Sequence, residues 1–147
     1  MNIHPCIACG YCQKADGCAF RDLDEFDRDL RACDLLLIAT PVYNLSFPAQ
    51  FKAVIDRFQR YFEARFARGI RPAIATHRDA VLLLTMGRYD PFAVEVCEKT
   101  LRQSFSVMNT TLKKNRWFLP DTDRADCENS AIFAKAQEIA IEIAREL

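Results

Sequence analysis

Glycine is scarce: four residues in 147, namely Gly10, Gly17, Gly69 and Gly87. None falls in a G-x-G-x-x-G or a G-x-x-x-x-G-K-[ST] pattern, so the two commonest glycine-built phosphate cradles are excluded. Net charge is absent too, with 20 basic side chains against 20 acidic ones. A chain without a basic surplus is not built for nucleic acid or an anionic membrane, since both are held through positive charge. No apolar run approaches the ~20 residues that span a bilayer. The start, Met1-Asn2-Ile3-His4-Pro5, lacks the charged opening and apolar stretch of a signal peptide. No repeat, low-complexity stretch or linker divides the sequence. These absences leave the expectation of a soluble, cytoplasmic, single domain over residues 1–147, long enough to close a core without disulfide staples.

Cysteine is what the sequence has in excess, with seven. An odd count without a secretory context points to reduced thiols. Four of them form Cys6-x2-Cys9-x2-Cys12-x5-Cys18. Residues three apart in a tight loop can aim their sulfurs at one point, and Gly10 and Gly17 allow the backbone bends this requires. Four thiolates hold either one zinc ion or a cubane iron–sulfur cluster. Zinc sites usually join two C-x2-C knuckles across a longer segment. Overlapping C-x2-C steps with a nearby fourth cysteine look more like a [4Fe–4S] loop, the plainer alternative being a turn that binds nothing. Cys33 and Cys97 fall on apolar helix faces and read as core. Cys127 stands in a polar stretch with no histidine or basic cluster to lower its pKa, and is assigned no chemistry. His4 adjoins the cysteine loop, within reach of a cluster sulfide, and His77 reads as loop surface.

Beyond the cysteines, helical and continuous apolar segments alternate. Asp22 and Glu25 resemble a capping box, followed by Leu23, Phe26, Leu30 and Cys33 on one helical face. Leu35-Leu36-Leu37-Ile38-Ala39 has no polar alternation, as in a parallel strand buried on both faces, and stops at Thr40-Pro41. Ser46 and Pro48 signal a helix with Phe51, Val54, Ile55, Phe58 and Phe62 on its apolar face; Lys52, Asp56, Arg57, Gln59 and Arg60 lie largely elsewhere on the wheel. Val81-Leu82-Leu83-Leu84-Thr85 reads as a second buried strand, stopping at Met86-Gly87. Asp90-Pro91 then starts a helix with Val94, Cys97, Leu101, Phe105 and Met108 inward. A weaker strand over Arg116-Trp117-Phe118-Leu119 is ended by Pro120, and Ile132, Ala136, Ile139 and Ile143 mark a closing helix over 130–146. This alternation predicts an α/β parallel sheet with right-handed crossovers. Ligands in such sheets bind at the carboxyl ends of strands, here the loops Thr40-Pro41-Val42-Tyr43-Asn44 and Thr85-Met86-Gly87-Arg88.

Pro5-Cys6-Ile7-Ala8-Cys9-Gly10-Tyr11-Cys12, Gly17-Cys18, the strand ending Thr40-Pro41-Val42-Tyr43, Lys52 and Ile55-Asp56-Arg57 follow one another in an order that resembles the iron–sulfur flavoproteins. These belong to the NAD(P)H-dependent FMN reductase superfamily, with a flavodoxin-like fold. The resemblance runs from about residue 3 to the Gly87 loop. It implies a flavin-dependent oxidoreductase, or electron-transfer protein, using FMN and one [4Fe–4S] cluster. Cys6, Cys9, Cys12 and Cys18 would be the metal ligands. The isoalloxazine would lie against Pro41, Val42, Tyr43 and Asn44 and against Met86, Gly87 and Arg88, with backbone amides on its pyrimidine edge and Tyr43 stacking on or flanking the ring. No side chain need act as a general acid or base. The implied partners are NAD(P)H or a ferredoxin-like electron donor and further copies of the chain, with no nucleic acid and no membrane. The alternative reading is a non-enzymatic zinc-binding or cofactor-free interaction module.

In that family a first strand, a Ser/Thr-rich phosphate-binding loop and a first helix precede the cysteine motif. Here Met1 stands five residues before Cys6. An N-terminally incomplete flavodoxin-like sandwich is therefore expected, with the first strand and most of the second missing. Because flavodoxin-like sheets run 2-1-3-4-5, the Leu35–Ala39 strand should become an exposed edge.

Overall fold

The computed structural model describes residues 3–119, 122 and 130–146, side chains at 114–116, 130 and 146 excepted. The elements in chain order are α1 (Tyr11–Lys14), α2 (Asp24–Ala32), β1 (Leu35–Pro41), α3 (Ala49–Arg57), α4 (Gln59–Phe66), β2 (Arg78–Thr85), α5 (Pro91–Phe105), β3 (Thr110–Leu119) and α6 (Ser130–Glu146). The three strands form one parallel sheet in the order β1-β2-β3. Parallel neighbours need a crossover between them, and α3–α4 and then α5 lie between successive strands. Helices cover both faces, giving the α/β sandwich that the alternation predicts. Pro120 and Cys127 lie outside the described residues.

The central strand β2 is the driest, with Ala80, Val81, Leu82 and Leu84 buried. On one face Ala80, Leu82 and Leu84 meet Leu30 of α2, Val54 and Ile55 of α3 and Cys97, Leu101 and Phe105 of α5 in the main core. On the other, Val81, Trp117 and Leu119 pack with Ile139 and Ile143 of α6. The start of α5 is as expected: Pro91 opens it and the Asp90 carboxylate accepts from the Phe92 and Ala93 amides at 2.9 and 3.2 Å.

Four expectations are corrected. Asp22 does not cap α2, whose N-cap is Leu23 with no side-chain bond; its carboxylate is engaged by His4 and Arg57 instead. Strand β1 is not buried on both faces, since Leu37 is 51% exposed and Ala39 is exposed as well. Among the described residues only α6 covers that side, and it packs on β2 and β3. The helix expected after Pro48 divides at Phe58, where the Phe58 and Tyr61 amides make tight bonds to Ile55 and Phe58 carbonyls. The joint turns Tyr61 inward, 1% exposed, and leaves Phe62 39% exposed. Finally β3 begins at Thr110, six residues before the expected start at Arg116, and its register shifts between Ala80↔Leu112 and Leu82↔Arg116. Its polar first half belongs to an edge strand, where lysines discourage further pairing; Lys113 reaches back to Asp79 at 2.7 Å.

Candidate functional site

Cys6, Cys9, Cys12 and Cys18 line one cavity of about 310 Å³. Ile7, Tyr11 and Phe20 supply its apolar walls, and Asp56, Gln59 and Glu63 from the α3–α4 side close it. Cys6 and Cys9 are exposed, Cys12 and Cys18 half-buried, and all four are free thiols. The loop reaches this shape through left-handed backbone at Ala8 (φ 54°), Gly10 (φ 73°) and Gly17 (φ 101°). At Gly17 it is this backbone angle that calls for glycine, since a methyl group there would meet the Arg60 guanidinium only at an ordinary contact distance of 3.4 Å. Among the described residues, no three Cys, His, Asp or Glu side chains are gathered closely enough to ligate a single ion. The four cysteines instead share a lining of one open cavity, and a donor set of four thiols suits zinc or iron–sulfur chemistry. Burial pushes the Cys12 thiol up, as do Glu63, Cys18 and Cys6 nearby, against a lowering backbone hydrogen bond. A positive centre between these sulfurs would reverse that balance.

The cysteine loop is closed at its base by a residue that the sequence pattern places among solvent-facing charges. Arg57 is 4% exposed. Its guanidinium donates to the His4 carbonyl at 3.0 Å, the Phe20 carbonyl at 2.7 Å and the Asp22 carboxylate at 2.9 Å. It thereby ties the residues before Cys6 to those after Cys18. The same carboxylate accepts from the His4 amide at 2.7 Å, and the His4 ring stacks on Phe20 with centroids 4.7 Å apart. A planar fork of donors is the side chain that can hold three acceptors at once, which a lysine cannot do. His4 thus serves the loop's closure rather than reaching toward the sulfurs as expected.

A second set of charges holds the far side of the loop. Asp27 receives Arg31 at 3.0 Å, Arg60 at 3.2 Å and the Tyr61 hydroxyl. Asp16, two residues before Cys18, meets Arg68 at 3.2 Å and Arg31 at 3.5 Å. Burial raises the Tyr61 phenol, and so does its bond to Asp27. None of these arginines carries a motif. The helical wheel sets Arg60 away from the apolar face, and Arg68 lies beyond the end of α4.

Asp22 links this closure to pH. Partial burial by itself would raise its pKa, but the His4 amide, the Arg57 guanidinium and the His4 ring outweigh that and bring it to about 2, from an ordinary 3.8. A carboxyl lowered on folding stabilises the fold above its ordinary value and loses that contribution as pH falls through the folded one. Thermal unfolding of the wild type and of Asp22→Asn should therefore differ most above about pH 4 and converge as pH falls toward 2. A gap independent of pH would refute this role.

The loops expected to receive a flavin sit side by side, because Pro41 pairs with Thr85 at the ends of β1 and β2. Residues 43–46 form a tight turn, with mutual Tyr43–Ser46 backbone bonds of 2.9 and 3.0 Å and left-handed Asn44 and Leu45. Tyr43 is 61% exposed, whereas the Met86 side chain is buried; Gly87 is half-buried and Arg88 exposed. The Val42, Tyr43 and Met86 amides bond to the Thr85, Ser46 and Leu119 carbonyls. Those three amides are therefore committed within the protein in this conformation. Cys97, expected in the core, is fully buried, and burial raises its thiol to about 11. Cys33 is half-buried against the core, its sulfur donating to the Leu30 carbonyl. Among the described residues no helix is long and apolar enough to cross a membrane.

Comparison with known proteins adds four findings. The family model described as NADPH-dependent FMN reductase matches residues 3–124. An iron–sulfur flavoprotein of Methanosarcina thermophila is 45% identical over 57 residues, 38% of this chain and 30% of that protein. An FMN-dependent NADH:quinone oxidoreductase of Trichormus variabilis is 30% identical over 126 residues, 84% of this chain and 56% of the relative. The chain thus spans about half, or less, of the curated relatives it matches. In three dimensions it resembles the Trp repressor binding protein of Bacillus subtilis, with a TM-score of 0.56, 16% identity and coverage of 80% of this chain and 72% of the other. That likeness concerns the fold.

Proposed function

This chain belongs to the NADPH-dependent FMN reductase family, and from that premise we propose that it is a flavin-dependent oxidoreductase, or electron-transfer protein, holding a [4Fe–4S] cluster on Cys6, Cys9, Cys12 and Cys18 and FMN against residues 41–44 and 86–88. The observation that carries the reading is the shared cavity: four thiols separated in sequence by up to twelve positions line one space of about 310 Å³. Relatives named iron–sulfur flavoprotein and FMN-dependent NADH:quinone oxidoreductase support it. When bound, the flavin accepts a hydride's electron pair and the cluster passes single electrons, so together they join two-electron donors to one-electron acceptors.

The chain's own residues supply position and environment. Gly10 and Gly17 give the loop its bends, and Arg57 and Asp22 hold its two ends together. Phe20, Ile7 and Tyr11 present apolar walls beside the sulfurs, and the dryness of such walls is one of the protein's means of setting a potential. The Tyr43–Ser46 turn and the buried Met86 fix the backbone of the two loops, leaving the Tyr43 ring free to lie on a planar ligand. No proton has to be moved by a side chain of this site. The electron donor, NAD(P)H or a ferredoxin-like protein, remains part of the proposal.

Anaerobic purification with assays for iron, sulfide, zinc and flavin tests the whole reading at once. About four irons and four sulfides per chain with bound FMN are expected. Zinc without iron would replace the redox reading with a structural one. A colourless, metal-free and folded protein would overturn it.

A further inference from the structure

No cationic side chain is among those that line the cavity shared by the four cysteines. Its charged lining is two carboxylates, Asp56 at the end of α3 and Glu63 in α4, with Gln59 between them. The two differ in their partners. Asp56 is paired with Lys52 at 2.6 Å. Glu63 is held by carboxamides: its Oε1 accepts from Gln59 Nε2 at 3.1 Å and, more loosely, from Gln13 Nε2 at 3.4 Å. Both donors are neutral, and among the described residues no cation pairs with Glu63, so its charge is left whole. The arginines that close the loop are committed behind it, Arg57 to Asp22, Arg31 and Arg60 to Asp27, and Arg68 to Asp16. Those four cations exceed the three carboxylates by one, but none of them lines the cavity.

Structure alone gives no reason for that charge. Gln13 belongs to α1, which packs on α4, and a neutral acceptor at position 63 would tie the two helices equally well. An anion there works against the thiolates that a metal needs, since like charges disfavour one another. Burial does most to raise the Cys12 thiol and the Glu63 charge adds to it, so the field of this carboxylate reaches that sulfur. We infer that Glu63 is a potential-setting residue: its unpaired charge beside the four cysteines holds the reduction potential of a cluster bound there below the value the loop alone would give. The inference rests on the cluster reading proposed above.

The sign follows from charge. Four thiolates make a bound [4Fe–4S] centre an anion, and reduction adds one electron's charge, taken from a one-electron donor. A fixed carboxylate on the wall repels the reduced form more than the oxidised one, so reduction becomes harder. Local net charge is one of the levers that spread cluster potentials over their wide range, beside hydrogen bonds to the sulfurs and exposure to water. Glu63 is half-buried, and Ile7, Tyr11 and Phe20 give the same cavity apolar walls. Screening by water and salt is weaker at such a site than on an open surface. Gln13 and Gln59 are then positioning residues, which hold the carboxylate at the cavity without cancelling its charge.

Redox titration of the anaerobically purified protein, followed by electron paramagnetic resonance of the iron, tests the inference. Glu63→Gln keeps an oxygen that accepts from Gln13 and Gln59 and removes the charge. Iron and sulfide per chain should be unchanged, while the reduced-to-oxidised ratio at a fixed ambient potential rises about tenfold, a midpoint ~59 mV higher for a one-electron couple. Glu63→Asp keeps the charge and should stay closer to the wild type than to Glu63→Gln. Gln59→Glu adds an anion to the same wall and should move the midpoint the opposite way, which carries the test should Glu63→Gln fold poorly. Glu138→Gln, on an exposed face of α6 across the sheet, should leave the midpoint where it was. An unmoved midpoint in both Glu63→Gln and Gln59→Glu, with iron intact, overturns the inference, reduces Glu63 to a tie between α1 and α4, and leaves the cluster reading standing. A wild type without iron and sulfide overturns the cluster reading itself, and this inference falls with it.

Discussion

Arg57→Met should destabilise the protein by about 3–5 kcal/mol, the range for removing one partner of a buried ion pair, and should free residues 4–22 from the α3–α4 side. The guanidinium bridges two carbonyls and one carboxylate. Methionine fills a similar volume, so the loss is one of hydrogen bonds and charge rather than packing. The Asp22 carboxylate, with 17% of its side chain exposed, would keep the His4 amide but lose its cation. Denaturant titration gives the energy, and hydrogen exchange at the amides of residues 6–18 gives the location. Arg57→Lys retains the charge and cannot span all three acceptors, so an intermediate loss is expected. Arg28→Met is the contrasting case. Arg28 bonds Glu25 and Asp29 on an exposed surface, and pairs of that kind contribute little. Equal stability of the Arg57→Met and Arg28→Met proteins would refute the closing role.

Cys9→Ala is the second substitution with a large expected effect, and its comparison is Cys97→Ala. Both replace one thiol by a methyl group. Cys9 lies on the wall of the cavity shared with three other cysteines, while Cys97 is fully buried in the main core. If the four thiols hold one inorganic centre, loss of Cys9 abolishes iron retention and the visible absorbance that accompanies it. Loss of Cys97 leaves a small core void, a cost of about 1 kcal/mol, and leaves the iron content unchanged. Measuring iron per chain and the thermal midpoint for both variants separates ligation from folding. Equal iron loss in the two would undo the ligand assignment, because a general loss of packing would then explain both.

The two arguments meet at the cysteine loop, and they differ in how visible they are in the chain itself. The spacing of Cys6, Cys9, Cys12 and Cys18 is local, so the pattern is read directly, and the structure places all four on one cavity. Arg57 is distant from what it binds: 53 positions from His4, 37 from Phe20 and 35 from Asp22. Nothing in the sequence near residue 57 distinguishes it from a solvent-facing helix cation such as Lys52, which pairs with Asp56 at 2.6 Å on an exposed surface. Asp22 was open to misreading for the same reason. Its position three residues before Glu25 fits a cap, and only the approach of His4 and Arg57 gives the carboxylate better partners.

Alternating apolar periods sufficed to establish the α/β class, the parallel pairing of β1 and β2, the Asp90-Pro91 helix start and the inward faces of α5 and α6, because each depends on neighbours within a few positions. Tertiary structure decided which of those apolar faces are covered. The run Leu35-Leu36-Leu37-Ile38-Ala39 has the composition of a strand buried on two sides, yet Ile38 is buried while Leu37 and Ala39 on the other side are exposed. Periodicity records which side of an element avoids water; what excludes the water there is set by chain segments far away in sequence, and that information exists only once they have packed.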